Sequence, residues 1–410
     1  MRILTLSWEY PPKSVGGLAR HVYDLTKELA RQEEDIFLLT CGVDGAPDEE
    51  NVHNVRVFRT NPLGLPAKDF VTGILQLNFS LLKKAVEIIQ DYGPFDIIHA
   101  HDWLVAFAAW TIKHAYRIPL VSTIHATEYG RNQGLHNDVQ RYISDTEWWL
   151  TYESWRVIVC SHYMKNELQN IFQLPDNKLT VVPNGVDPNS FSQVDPGFSR
   201  RNYAADDEKI VFFVGRLVPE KGVEVLLDAA PKILHYCPEA KFIIAGKGPS
   251  EEYLKQKAHM INIDAKVYFT GYIDDSTRNG LYRSAQAAVF PSTYEPFGIV
   301  ALEAMAAQTP VIVSDVGGLS EIISHGIDGL KVYGGNPNSL ADNIIHVLKS
   351  PDLGEYMKKR AFEKVTQYFN WDKISRETRQ VYRAVQEAAQ KCEWKTPQVR
   401  YENNFIGRYS

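Results

Sequence analysis

Two doubly wound α/β domains facing a common cleft are predicted by three observations on the sequence. Short apolar or β-branched runs alternate with helix-length stretches along most of the chain, which is the pattern of parallel strands joined by crossover helices. The alternation pauses at Asp187–Asp207, where Pro, Ser, Asn and Asp predominate without periodicity; such composition reads as a linker. The length of 410 residues exceeds what one hydrophobic core ordinarily serves, and suits two units of about 180–200 residues each. The expected domains are therefore 1–190 and 205–370.

In the first unit, strands are expected at Ile3–Leu6, Ile36–Leu39, Val55–Phe58, Ile97–His99, Leu120–Ile124, Val157–Val159 and Leu179–Val182. The helical stretches between them are Gly17–Arg31, Leu75–Tyr92, Leu104–His114 and Glu147–Trp155. The second series places strands at Ile210–Val214, Lys241–Ala245, Val267–Thr270, Ala288–Phe290 and Val311–Ser314. Its helices are Gly222–Tyr236, Glu251–Asn262, Arg278–Ala285, Ile299–Ala307 and Leu340–Lys349. Ligands of such sheets sit beyond the carboxyl ends of the strands.

Composition narrows the function. A net charge of −6 offers no basic excess for a nucleic-acid partner. Cys41, Cys160, Cys237 and Cys392 are far apart and form no C-x-x-C pair, so they read as reduced thiols in a cytoplasmic protein. Met1–Trp8 leads straight into a strand without a signal-peptide core. No run of 18 apolar residues exists, so no membrane span is expected. Leu81–Val86, with Lys83 and Lys84, is the one basic amphipathic segment, and Glu87 and Asp91 dilute its charge; only transient membrane contact is expected.

The chemistry concentrates in Glu295-Pro296-Phe297-Gly298-Ile299-Val300-Ala301-Leu302-Glu303. Pro296 and Gly298 delay the helix to about Ile299, leaving Glu295 on the preceding loop and Glu303 on the second turn. Glu303 sits among small apolar residues, where a carboxylate needs a hydrogen-bonding partner: a ligand or a structural Arg. The free N–H groups at the helix start form an anion seat. A phosphate seat flanked by two carboxylates suits a nucleotide sugar.

Other strand ends supply cations and glycines. The strand through Val214 runs into Gly215-Arg216 and then Lys221-Gly222, placing two cations where a diphosphate leaving group would need them. Gly246-Lys247-Gly248 repeats the arrangement after the next strand. In the first unit, Gly16-Gly17 precedes a helix and lets backbone N–H groups approach an anion. It is not G-x-G-x-x-G, so a dinucleotide reading has little support. His101-Asp102 and His125 through Glu128 end adjacent strands facing the same cleft. His99, His101 and Asp102 invite a metal reading, yet no fourth ligand is evident and none is expected.

Taken together these pieces resemble a family 4 retaining glycosyltransferase of the GT-B type, distantly similar to glycogen and starch synthases. The residues carrying the resemblance are Val15–Leu18, His101–Trp103, Thr123–Glu128, Val182–Asp187, Gly215-Arg216, Lys221-Gly222 and Glu295–Glu303. The resemblance implies that Arg216 and Lys221 hold the donor diphosphate and that Glu303 binds the ribose diol. It implies that Glu295 reaches the sugar hydroxyls, with Phe297, Gly298, Ile299 and Val300 offering backbone donors. Tyr272 and Ile273 would cup the base, with Gly17 and Lys247 also on the donor side. His125 would lie near the sugar, and Gly16, Asp102 and Glu128 on the acceptor side. No cofactor or metal is expected, since Arg and Lys take the metal's place.

In bacterial glycogen synthases a lysine stands two residues before the double glycine, in Lys-Thr-Gly-Gly; here that place holds Ser14, with Lys13 one step earlier, and this favours a uridine donor over ADP-glucose. A UDP-sugar, with a glycan or lipid-linked acceptor, is the expected pair of partners. The segment 371–390 resembles the helix that crosses back onto the first domain. A nucleotide-sugar 2-epimerase and a catalytically inactive sugar-binding subunit are the rival readings. The second should have lost Arg216, Lys221 or Glu295, and all three are present.

Overall fold

The computed structural model describes residues 1–394 except Val15, Gln193, Val194 and Glu393. Two sheets form. The first comprises β1 (Arg2–Ser7), β2 (Asp35–Cys41), β3 (Glu49–Val52), β4 (Val55–Thr60), β5 (Ile97–His101), β6 (Leu120–Ile124), β7 (Arg156–Val159) and β8 (Leu179–Val181). The second comprises β9 (Lys209–Val214), β10 (Ala240–Ala245), β11 (Val267–Gly271), β12 (Ala287–Phe290), β13 (Val311–Ser314) and β14 (Leu330–Val332). Every strand expected from the sequence is present. Ile36–Leu39 and Ile210–Phe213 are fully or almost fully buried, because helices cover both faces of a parallel sheet and leave no solvent side.

The strand order is β3-β4-β2-β1-β5-β6-β7-β8 in the first sheet and β11-β10-β9-β12-β13-β14 in the second. All pairings are parallel except β3 with β4. Strand order therefore reverses between β1 and β5, and again between β9 and β12. A crevice opens at such a switch point, where successive connections leave in opposite directions. The Gly16-Gly17 and His101-Asp102 segments lie at the first switch point, and Arg216, Lys221 and Glu295 at the second.

Several elements depart from expectation. The helix expected at Leu75 starts at Phe70, where Asp69 accepts from the N–H of Thr72. Asn137 likewise starts a helix at Asp138 rather than Glu147. Helices His162–Phe172 and Pro351–Tyr368 were not expected, because their polar composition hides a narrow apolar stripe. The expected linker is not free chain: Phe191 is buried and its carbonyl accepts from Arg283.

The helix Trp371–Lys391 packs on the first sheet. The Tyr382 hydroxyl lies 2.7 Å from His99 Nδ1, Gln386 donates to Asp96, and Arg379 donates to Glu34. The chain thus passes between the sheets twice, near Val186 and near Phe369. The two passages touch: the Val186 N–H donates to the Phe369 carbonyl at 2.9 Å. Gly185 lies so close to Trp371 that a Cβ would stand 2.8 Å from its ring. The expected tail, 391–410, falls outside the described residues from 395 onward. Among the described residues no helix is long and apolar enough to cross a membrane, and the four cysteines are free thiols.

Candidate active site

The wall contributed by the second sheet begins where β9 and β12 end. Gly222 holds φ at +67°, and a Cβ there would stand 1.9 Å from the Pro291 carbonyl oxygen. Only glycine lets these two strand ends meet so closely. The contact brings Lys221, after β9, to Glu295, after β12: Nζ to Oε2 is 2.8 Å. Ser292 Oγ donates to the same carboxylate oxygen at 3.3 Å. Glu295 is buried, so this pairing is what makes its charge tolerable there. Arg216 stays half-exposed, 3.7 Å from Glu220, and is available to an incoming anion.

The helix Ile299–Ala306 starts beside this pair. Gly298 precedes it at φ +107°, and no side chain caps its start, so its first N–H groups and positive dipole end face the crevice. Glu303 is buried on its second turn, 3.2 Å from the Tyr282 hydroxyl. Arg278 approaches it only to 3.7 Å, an ion pair without a hydrogen bond. Lys247 runs beside Gly271, near the exposed Tyr272 and half-buried Ile273.

The opposite wall comes from the first sheet. A Cβ on Gly17 would stand 3.1 Å from Ile299 Cδ1, so the double glycine abuts the helix start of the other unit. The Gly16 N–H donates to Glu9. Arg20, one turn on, reaches across to Asp275 at 3.3 Å. Tyr294 also crosses: its hydroxyl bonds Glu167 at 3.0 Å and accepts from the Thr127 N–H at 3.4 Å. Ser161 Oγ donates to the Pro296 carbonyl, and Glu321 accepts from the N–H groups of His162 and Tyr163.

In the first wall the expected neighbours His101 and His125 are joined by His21, which was not expected. His125 Nε2 lies 3.2 Å from His101 Nδ1, and His21 packs against both rings. His99 lies behind His101 at a centroid distance of 4.1 Å. Burial drives His21, His99 and His101 well below the ordinary imidazole range, and with Arg131 nearby it brings His125 down to about 3. All four are neutral near pH 7.

Asp102 differs from its expected place facing the cleft. It is buried, with φ +59°, and its carboxylate accepts from the His125 N–H at 2.8 Å, so it shapes the His125 loop. Burial raises it to about 6, against the pull of Arg131. Glu128 is likewise tied down, by Asn132. Glu147, pushed up to about 8 by burial, accepts from the Glu128 N–H. Sequence reasoning missed Arg20, His21, Arg131 and Tyr294. His21, Arg20 and Gly17 share one helix, and their i, i+3 and i, i+4 spacing was the signal that a helix face, not only its start, meets the cleft.

Comparison with known proteins agrees with this architecture. Residues 15–190 match the family described as Glycosyltransferase Family 4, and residues 197–364 that described as Glycosyl transferases group 1. An uncharacterized glycosyltransferase of Methanocaldococcus jannaschii is 41% identical over 392 residues, covering 94% of this chain and 99% of the relative. A glycogen synthase of Mycobacterium tuberculosis is 34% identical over 416 residues, covering 98% and 99%. Among solved structures, sucrose-phosphate synthase from Thermosynechococcus elongatus superposes with a TM-score of 0.83 at 27% identity, over 95% of this chain and 100% of that one. Anabaena HepE in complex with UDP-glucose shares the fold, with a TM-score of 0.76 at 21% identity over 94% and 100%. The chain belongs to the family 4 glycosyltransferases of the GT-B fold.

Proposed function

We propose that the protein is a retaining, metal-independent hexosyltransferase moving glucose from UDP-glucose to a hydroxyl of a glycan. The observation that carries this reading is the meeting of Lys221 and Glu295, at 2.8 Å, beside an uncapped helix start and the half-exposed Arg216. A diphosphate entering there meets two cations and a helix dipole. A sugar attached to it projects toward Glu295 and the His125 wall. Similarity to a glycogen synthase supports glucose, the monomer of glycogen, and Ser14 in place of the Lys-Thr-Gly-Gly lysine supports the uridine nucleotide.

In the proposed reaction the bond between the anomeric carbon and the leaving phosphate oxygen breaks with its electron pair on the diphosphate. Arg216 and Lys221 neutralise that growing charge. The acceptor oxygen bonds the anomeric carbon on the same face, and its proton passes to the departing phosphate oxygen. No base behind the sugar is required, so the product keeps the donor's α configuration. Proton NMR of fresh product should show an α-anomeric coupling. A β coupling would overturn the mechanism; an isomerised free nucleotide sugar would instead establish an epimerase, and no donor consumption a binding subunit.

Glu303 is assigned to the ribose diol. Glu303→Gln should weaken UDP binding by about 10- to 150-fold, the loss of a charged hydrogen bond worth roughly 1.5–3 kcal/mol. Wild-type affinity by titration calorimetry would leave Glu303 as a structural partner of Tyr282 and Arg278.

A further inference from the structure

We propose that His21, His101 and His125 form a binding site for a divalent metal ion of the zinc–cobalt class, whose occupancy competes with the sugar end of the donor. Each ring offers one nitrogen, and the three lie within 4.8 Å of one another. The ring centroids stand 4.7 Å apart for His21–His125, and 5.5 Å for both His21–His101 and His101–His125. Imidazoles bound at about 2.0–2.1 Å around a tetrahedral ion place their centroids about 5 Å apart. The rings already stand at about the separation that a bound ion needs.

The hydrogen bonds leave a nitrogen free on two of the three rings, while His125 Nε2, 3.2 Å from His101 Nδ1, must turn from that contact to ligate. Asn184 Oδ1 lies 2.6 Å from His21 Nδ1. An amide oxygen only accepts, so Nδ1 carries the proton and Nε2 carries the lone pair. Among the described residues that buried Nε2 has no hydrogen-bond partner, and neither has His101 Nε2. A neighbour that fixes the tautomer of a ligating histidine in this way is characteristic of metal sites. His99 is excluded although it is adjacent, because Thr123 Oγ1 and Tyr382 Oη, each at 2.7 Å, occupy both its nitrogens.

The donor set selects the metal class. Neutral imidazoles suit zinc, cobalt, nickel or copper, whereas magnesium and calcium want oxygen. Asp102, on the His125 backbone, brings negative charge close to the cluster, and Arg131 opposes it. His21 and His101 are buried while His125 is only half-buried. The fourth coordination position thus opens on the cleft, where water or a sugar hydroxyl would take it. The ion has no part in the proposed transfer, whose charge is met by Arg216 and Lys221 on the opposite wall. By engaging His125 it would close the sugar's place.

The test is a Co²⁺ titration of the full chain after chelator treatment. One ion per chain should bind, with the intense visible absorption of four-coordinate cobalt. His21→Ala and His101→Asn should each weaken binding by about tenfold or more, while His99→Gln should stay within about threefold of wild type. Absence of the four-coordinate spectrum from the wild-type chain, or wild-type affinity in both ligand variants, would overturn the site whether or not the chain transfers sugar. Zn²⁺ should also raise the KM for UDP-glucose without changing the affinity for UDP. A site that binds cobalt but leaves that KM unmoved would overturn the competition.

Discussion

Arg216→Ala is expected to slow sugar transfer by about 10²–10³-fold, the usual effect of removing one group that meets developing charge. Arg216 is the cleaner of the two cations to test. Its side chain is 45% exposed and its carboxylate neighbour stands at 3.7 Å, so its loss should leave stability within about 0.5 kcal/mol of wild type. Lys221→Ala should be at least as slow, but for two reasons at once. Without Lys221 the buried Glu295 keeps, among the described residues, the hydroxyl of Ser292, and a buried carboxylate without a cation is costly. A fall in turnover with an unchanged unfolding midpoint in Arg216→Ala would locate the effect in the transition state. Wild-type turnover in both variants would remove the diphosphate from this strand end.

Gly222→Ala is expected to damage stability and activity together. The residue takes a left-handed conformation, which costs an alanine roughly 1–2 kcal/mol. Its new methyl would also stand 1.9 Å from the Pro291 carbonyl oxygen, so the start of helix Val223–Tyr236 and the segment after β12 must part. A loss of at least about 2–4 kcal/mol in urea unfolding is expected, with slow transfer because Lys221 leaves Glu295. Gly326→Ala is the control: φ there is +76°, but a Cβ meets nothing within 4 Å. Equal losses in the two variants would show that backbone conformation, rather than the crossing of strand ends, sets the effect.

Much of this fold can be read from sequence because parallel strands buried on both faces leave unbroken apolar runs such as Ile210–Phe213. Two of the four edge strands lack that signature: Glu49–Val52 alternates exposed and half-buried residues, and Leu330–Val332 is three residues long. The second-sheet wall was legible because its residues lie within a few positions of strand ends. The first-sheet wall was legible only in part: Gly16-Gly17, His101 and His125 stand at strand ends, but His21 lies inside a helix. His21, His101 and His125 are scattered over a hundred residues, and only the pairing of β1 with β5 and of β5 with β6 gathers them. Asp102 was misplaced for a related reason: sequence gives the strand end, not which way a residue at φ +59° turns its carboxylate.

The double passage of the chain between its two halves constrains how the cleft can open. A single connection would act as a swivel, free to twist as well as bend. Here the segments at Val186 and Phe369 run side by side and are hydrogen-bonded to each other, with Trp371 wedged against Gly185. Two parallel cords tied at one place behave like the pin of a door. Relative motion is reduced to swinging about that line, and the contacts that Tyr294, Glu321 and Arg20 make across the cleft are the latch that each swing must release.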